Sequence, residues 1–276
     1  MHIDAYFAIS NSNLDDAEFV LFGIPYDQSQ SFISGSRFAP NAVRVASWNL
    51  ESYSPFFDFD LDFAKVCDAG NINVDGNFQN ILINVEKFFQ NIKDKIPIGI
   101  GGEHTISYAI VRNLEVDCYL VIDAHLDLRD EFDGSKFNHA CTCRRISDLG
   151  LDIIYLGVRS YTREEMDYAK EKGFKIFNPF NVDIEKIGDL LSPYDKIYFS
   201  IDFDGFDPAY ATVSTPEPFG LNPSIVLEIF ENFANKIVGM DISEIVPDIS
   251  YKTPILGARI IQEFIASKSL SSTPKL

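Results

Sequence analysis

Residues 118–128 read CYLVIDAHLDL, a short apolar run that breaks at Ile122 into acids and an imidazole. The run Cys118–Ile122 has the length and β-branched, aromatic character of a strand buried on both faces, as in a parallel sheet covered by helices. Three other stretches share this design: IPIGIGGEH (96–104), IYFSIDFDGFDP (197–208) and IVGMDISEIVP (237–247). Further strand candidates are Phe19–Phe22, Lys65–Asp68, Ile153–Leu156 and Lys175–Phe177. Between them, helical periodicity marks Asn41–Leu50, Phe78–Lys93, Thr105–Asn113, Arg163–Lys172, Ser224–Ala234 and Gly257–Ala266. Asn222-Pro223 supplies a helix start, and Gly173 falls where a helix should stop. Strands alternating with helices predict an α/β fold of three layers, a mainly parallel central sheet with helices on both faces. No linker, repeat or low-complexity block divides the chain. The expectation is one domain over residues 1–276, with its core at about 18–266 and a polar carboxyl-terminal tail at 267–276.

Composition narrows the function. The 276 residues carry 23 Lys plus Arg against 41 Asp plus Glu, a formal net charge of −18. Such a surface repels phosphate backbones and anionic headgroups, so neither nucleic acid nor a membrane is an expected partner. No stretch approaches the roughly 20 apolar residues of a membrane span, and the start has no basic leader; the expected setting is cytoplasmic. Four cysteines, Cys67, Cys118, Cys141 and Cys143, are too few for a disulfide scaffold and read as free thiols.

The polar residues after the apolar runs carry the chemistry. In parallel α/β sheets ligands bind at the carboxyl edge, where the loops converge. Asp123, His125 and Asp127 recur at i, i+2 and i+4, so in extended conformation they share one side. Asp202 and Asp204 repeat the spacing, and His104 adds a second imidazole. Four carboxylates and two imidazoles suit divalent ions such as Mn²⁺, Zn²⁺ or Mg²⁺, and without cations they would perturb one another's ionisation sharply. Six ligands fit two ions better than one. His139 could be a seventh ligand, a proton shuttle or a surface residue. Glu244, a carboxylate not needed for metal, could hold a substrate cation. His2 is terminal and expected to be idle.

These motifs resemble those of the ureohydrolases, the arginase–agmatinase superfamily: GGEH (101–104), DAHLD (123–127), SIDFDGFDP (200–208) and DISEIVP (241–247). Gly23-Ile24-Pro25-Tyr26-Asp27 and Ser34-Gly35-Ser36-Arg37-Phe38-Ala39-Pro40 resemble the family's amino-terminal motif. The resemblance spans about residues 18–265 and implies the arginase-like fold, in trimers or hexamers. It also implies two Mn²⁺ per chain. His104 and Asp127 would serve the first ion, His125 and Asp204 the second, with Asp123 and Asp202 bridging. His139 would be the proton-transfer histidine and Glu244 the group that grips a guanidinium. Asp127 would pass a proton to the leaving nitrogen. The implied reaction is hydrolysis of a cationic guanidino compound. The chain departs from the family pattern at Ser34 (usually Pro), at Ala39 (usually Gly), and in a loop one residue shorter before Thr215-Pro216-Glu217-Pro218.

The stretch LRDEFDGS (128–135) is dominated by three acids and shows no set of Asn and Ser donors like the one with which an arginase holds an α-carboxylate. Its acids, Asp130, Glu131 and Asp133, would repel that group and attract an amine tail, with Arg129 as the opposing charge. The expected substrate is therefore agmatine, cleaved to putrescine and urea. N1-aminopropylagmatine, arginine and other guanidino compounds are the alternatives. More distant readings are a binuclear metallophosphoesterase, disfavoured by the scarcity of basic residues, and a non-catalytic polyamine- or metal-binding relative.

Overall fold

The computed structural model describes residues 5–272. Ten strands form in chain order: β1 (Phe19–Ile24), β2 (Tyr53–Ser54), β3 (Phe59–Asp60), β4 (Val66–Asn71), β5 (Ile96–Gly101), β6 (Cys118–Ile122), β7 (Asp152–Leu156), β8 (Lys175–Phe177), β9 (Ile197–Asp202) and β10 (Ile237–Ser243). Eight of them make one sheet in the order β4-β1-β5-β10-β9-β6-β7-β8, and every pair is parallel. All eight predicted strands are present. The short antiparallel pair β2 and β3 lies apart and was not anticipated.

The sheet is covered on both sides because its strands are apolar on both sides. In β9, Ile197, Phe199 and Ile201 enter one core and Tyr198 the other; in β6, Leu120 and Ile122 face one core and Tyr119 and Val121 the other. The first core receives α1 (Ala39–Ser47), α6 (Ile184–Leu191), α7 (Ser224–Phe233) and α8 (Lys252–Ser272). The second receives α2 (Phe78–Phe89), α3 (Thr105–Val111), α4 (Thr142–Ser147) and α5 (Arg163–Lys172).

Local chemistry sets the helix ends. Thr162 and Glu165 form a reciprocal cap at the start of α5, and Gly173 closes it at φ 77°. The Asn222 side chain accepts from Ser224 N at 2.9 Å, so the helix begins at Ser224 with Pro223 just before it. Two helices escaped the sequence reading. The first, α4, is barely more than one turn. The second, α6, has a readable signal: the Asp183 side chain accepts from Glu185 N and Lys186 N, and Ile184, Ile187 and Leu191 share one face.

The expected tail at 267–276 is corrected in part. Helix α8 continues through Ser272, with Ser267 and Lys268 buried, because the Ser267 hydroxyl and Lys268 ammonium donate to the Phe230 and Ala234 carbonyls at the end of α7. Residues 273–276, like His2, lie outside the described residues. Among the described residues no helix is long and apolar enough to cross a membrane, and all four cysteines are buried free thiols.

Candidate metal and substrate site

Four adjacent central strands, β5, β10, β9 and β6, deliver the polar residues to one point on the carboxyl edge. Register does the alignment: Ile122 pairs with Ile201, and Asp202 with Ser243, so Asp123, Asp202 and Glu244 emerge at nearly one level. The loops then have to crowd together. A Cβ on Gly102 would lie 1.9 Å from the Tyr26 carbonyl oxygen, so only glycine lets the 23–27 loop close over the GGEH turn.

The predicted ligands meet there in two groups of three: His104, Asp123 and Asp127, then Asp123, His125 and Asp204. Asp123 belongs to both. His104 Nδ1 lies 2.8 Å from Asp127 Oδ2, 3.2 Å from Asp123 Oδ2 and 3.3 Å from Asp202 Oδ2. His125 Nδ1 lies 2.9 Å from Asp204 Oδ2 and 3.6 Å from Asp123 Oδ1. Asp202 completes neither group of three; its Oδ1 accepts from Asp204 N at 2.9 Å.

Strand alternation at i, i+2 and i+4 does not produce this convergence. Strand β6 ends at Ile122, and the backbone turns left-handed at Asp127, φ 50°. Asp204 sits in a 3-10 turn that follows β9. The side chains converge because the chain leaves extended geometry past these strands: Asp127 is left-handed, a conformation unfavourable for a residue with a Cβ, and Asp204 lies in a tight turn.

The donor set fits divalent cations. One imidazole N–H cannot serve three carboxylate oxygens, and Asp123 Oδ2 is buried with no hydrogen-bond partner. Burial raises the carboxyls of Asp127, to about 7, and of Asp202, while the His125 ring holds Asp204 well below the usual range. Such a cluster is costly unless cations neutralise it.

Each imidazole is braced from behind. His104 Nε2 faces the Tyr119 hydroxyl at 3.2 Å and the Ser200 hydroxyl at 3.4 Å. Asp241, fully buried, accepts from Ser200, Ser107 and Tyr198 at 2.9, 3.0 and 2.7 Å. His125 is more open, its side chain 26% exposed, and its Nε2 faces Glu217 Oε1 at 3.6 Å.

Glu244 and His139 stand beside the ligands. Glu244 is 2% exposed and left-handed at φ 61°. Its carboxylate accepts from His104 N at 2.8 Å, from Gln30 Nε2 at 2.7 Å and from the Ser214 hydroxyl. His139 N donates to Ser29 Oγ at 3.0 Å, and the ring nitrogens lie near the hydroxyls of Ser29 and Ser31 at 3.4 and 3.1 Å. Burial pushes the ring down to about 4, so it is neutral at pH 7. That contribution to stability is complete above the ordinary histidine value near 6.5 and is lost as pH falls towards 4.

Sequence reasoning missed three supports. Buried Glu103 accepts from Ser29 N, Ser29 Oγ and Thr105 Oγ1 at 2.7, 2.5 and 2.5 Å, and thereby fixes the serine on which His139 rests. Gln30 holds Glu244. Arg159 donates to six carbonyls, those of Gly157, Asp204, Gly205, Phe206, Glu217 and Pro218, and pins the 204–218 loop to the end of β7. The "GVRS" context of Arg159 offered no spacing to read; only its place after a predicted strand hinted at a role.

A cavity of about 300 Å³ opens onto these groups, lined by His104, His125, Asp127, His139, Asp202, Asp204 and Glu244, with Arg129, Phe132 and Glu165 among its other walls. The acids expected to repel a carboxylate are not part of it. Asp130 pairs instead with Arg145 at 2.7 Å and Lys136 at 3.5 Å, while Glu131 and Asp133 also lie outside the lining. Arg129 does line the cavity; its guanidinium stacks over Phe132 at 4.7 Å and lies 4.0 Å from Glu165. Arg144 and Arg145 are engaged with Asp130 and Asp148, away from the cavity.

A parallel α/β sheet with a buried acid-and-imidazole cluster on its carboxyl edge, beside a cavity lined by a further buried carboxylate, defines a metal-dependent hydrolase. The chain belongs to the arginase family, whose model matches residues 17–266. An agmatinase from Pyrococcus horikoshii is 37% identical, over 90% of this chain and 91% of the relative. An N(1)-aminopropylagmatine ureohydrolase from Thermococcus kodakarensis is also 37% identical, over 84% and 83%. The crystal structure of the agmatine ureohydrolase of Thermoplasma volcanium superposes with a TM-score of 0.90 at 37% identity, covering 96% of this chain and 94% of that one.

Proposed function

We propose that this chain is an agmatinase: it hydrolyses the guanidino group of agmatine to putrescine and urea, with two Mn²⁺ held by His104, Asp123, His125, Asp127, Asp202 and Asp204. The observation that carries the reading is the buried Glu244 carboxylate, which takes no place in either ligand group yet lines the same cavity. A guanidinium is planar and cationic, and a fixed carboxylate recognises it through paired, charge-assisted hydrogen bonds. Bound divalent ions supply a water acidic enough to act as nucleophile near neutral pH. Glu244 fixes the guanidinium carbon in reach, which lowers the entropic part of the barrier. Asp127, which lines the cavity beside His104, would pass the proton taken from that water to the leaving nitrogen. His139, neutral and flanked by two hydroxyls, relays protons between that nitrogen and the cavity mouth.

Agmatine is preferred to arginine because the cavity offers an α-carboxylate no unpaired Lys or Arg. Arg129 is its one Lys or Arg side chain, and Glu165 and the Phe132 ring already occupy it. The Thermococcus relative supports a longer aminopropyl substrate as the second reading. Urea release by the manganese-loaded protein should favour agmatine over arginine by at least about 10²-fold in kcat/KM, with guanidinobutyrate and N1-aminopropylagmatine as further arms. Equal kcat/KM on arginine would overturn the choice of agmatine and leave the ureohydrolase chemistry standing. The chain works in the cytoplasm as a homo-oligomer, a trimer or hexamer, which light scattering can establish.

His139→Asn should keep both ions yet slow turnover by about 10²-fold, the range of general acid–base assistance. Metal analysis and steady-state kinetics read the two effects separately. Unchanged kcat would reduce His139 to a loop residue.

A further inference from the structure

The two imidazoles of the site are supported by different chemistry. His104 is sealed, and its outer nitrogen meets hydroxyls backed by Asp241. His125 lies at the open edge, and the group facing its outer nitrogen is a carboxylate, Glu217 Oε1 at 3.6 Å. Glu217 is not there to meet substrate, since Thr215 lines the cavity and Glu217 does not. Nor does its position depend on its own exposed side chain, because Arg159 holds the Glu217 and Pro218 carbonyls at 2.6 and 3.0 Å and the Asp204 carbonyl at 2.7 Å. One guanidinium thus fixes both the loop that carries Glu217 and the backbone of Asp204, which faces the inner nitrogen of His125.

We propose that Glu217 is a positioning residue for His125: its carboxylate takes the Nε2–H and fixes the tautomer whose Nδ1 lone pair points at Asp123 and Asp204. The proposal rests on the metallohydrolase reading above. A neutral imidazole can place its proton on either nitrogen, and only the tautomer with Nδ1 bare can bind a cation between those two carboxylates. A small rotation of the Glu217 side chain, 35% exposed, brings 3.6 Å into hydrogen-bond range. Carboxylates in this role typically matter 10–100-fold to metal affinity.

The test uses the full chain and its Glu217→Ala and Glu217→Gln variants, with Mn²⁺ titrated calorimetrically. Glu217→Ala should weaken one of the two ions by about 10–100-fold and leave the other within about 3-fold. Glu217→Gln, whose amide oxygen still accepts from Nε2–H, should lose less. Unchanged affinity for both ions in Glu217→Ala would overturn the proposal, and so would equal weakening of both, which would make Glu217 a support of the loop alone. A wild-type chain that binds fewer than two ions would instead remove the metallohydrolase reading, and the proposal with it.

Discussion

Asp123→Ala should abolish binding of both divalent ions and reduce urea release by at least about 10³-fold, because Asp123 is common to both ligand groups and its loss removes a donor from each. The fold itself should survive. Asp123 is one of four carboxylates crowded into the site, and removing it relieves like-charge repulsion in the metal-free chain. The distinguishing measurement is thermal: the wild type should gain stability when Mn²⁺ is added, since only the native chain binds it, and Asp123→Ala should not. A variant that keeps two ions per chain, or a manganese-dependent rise in Tm, would refute the shared role.

Glu244→Gln should behave in the opposite way towards metal. Its carboxylate belongs to neither ligand group, so two ions should remain. The guanidinium, however, loses an ionic partner inside a buried cavity, a loss worth roughly 3–5 kcal/mol, or about 10²- to 5 × 10³-fold in kcat/KM. Both kcat and KM should suffer, because the anchor acts before and during the reaction. The new amide also sets a donor against Gln30 Nε2 and the Ser214 hydroxyl, which now donate to a carboxylate. Normal kinetics in this variant would remove Glu244 from the site.

The sheet was legible because each of its strands announces itself locally, as an apolar run such as Cys118–Ile122 or Ile197–Ile201 bounded by turn residues. The ligands were legible because acids and imidazoles recur just beyond those runs. What failed was reasoning that extended a strand's geometry past its end: the chain bends at Asp127 and turns at Phe203–Gly205, so alternation no longer says where a side chain points. Asp130 misled for a related reason, since a loop acid turns towards whichever cation is near and it pairs with Arg145 and Lys136, while Glu131 and Asp133 lie outside the cavity lining. Arg159, Glu103, Gln30 and Glu217 were invisible because each acts across loops distant in sequence, and nothing in their own neighbourhoods encodes the partner.

The position of β10 bears on how the chain is made. It is the last strand in sequence and lies between β5 and β9, in the middle of the sheet. A chain emerging from the ribosome can therefore build only two separate pieces, β4-β1-β5 and β9-β6-β7-β8, until residues 237–243 arrive. Until then each piece exposes a long inner edge, rich in unpaired N–H and C=O groups, of the kind that templates aggregation. Closure waits for a contact of high sequence separation, which makes folding slow. His104 lies on one piece and Asp123 and Asp127 on the other, so the insertion of β10 is also the moment at which the first ligand group comes together, whereas Asp123, His125 and Asp204 already share one piece. Translation halted before residue 237 would yield a chain that neither completes the His104 ligand group nor hides its edges, a substrate for chaperones and proteases.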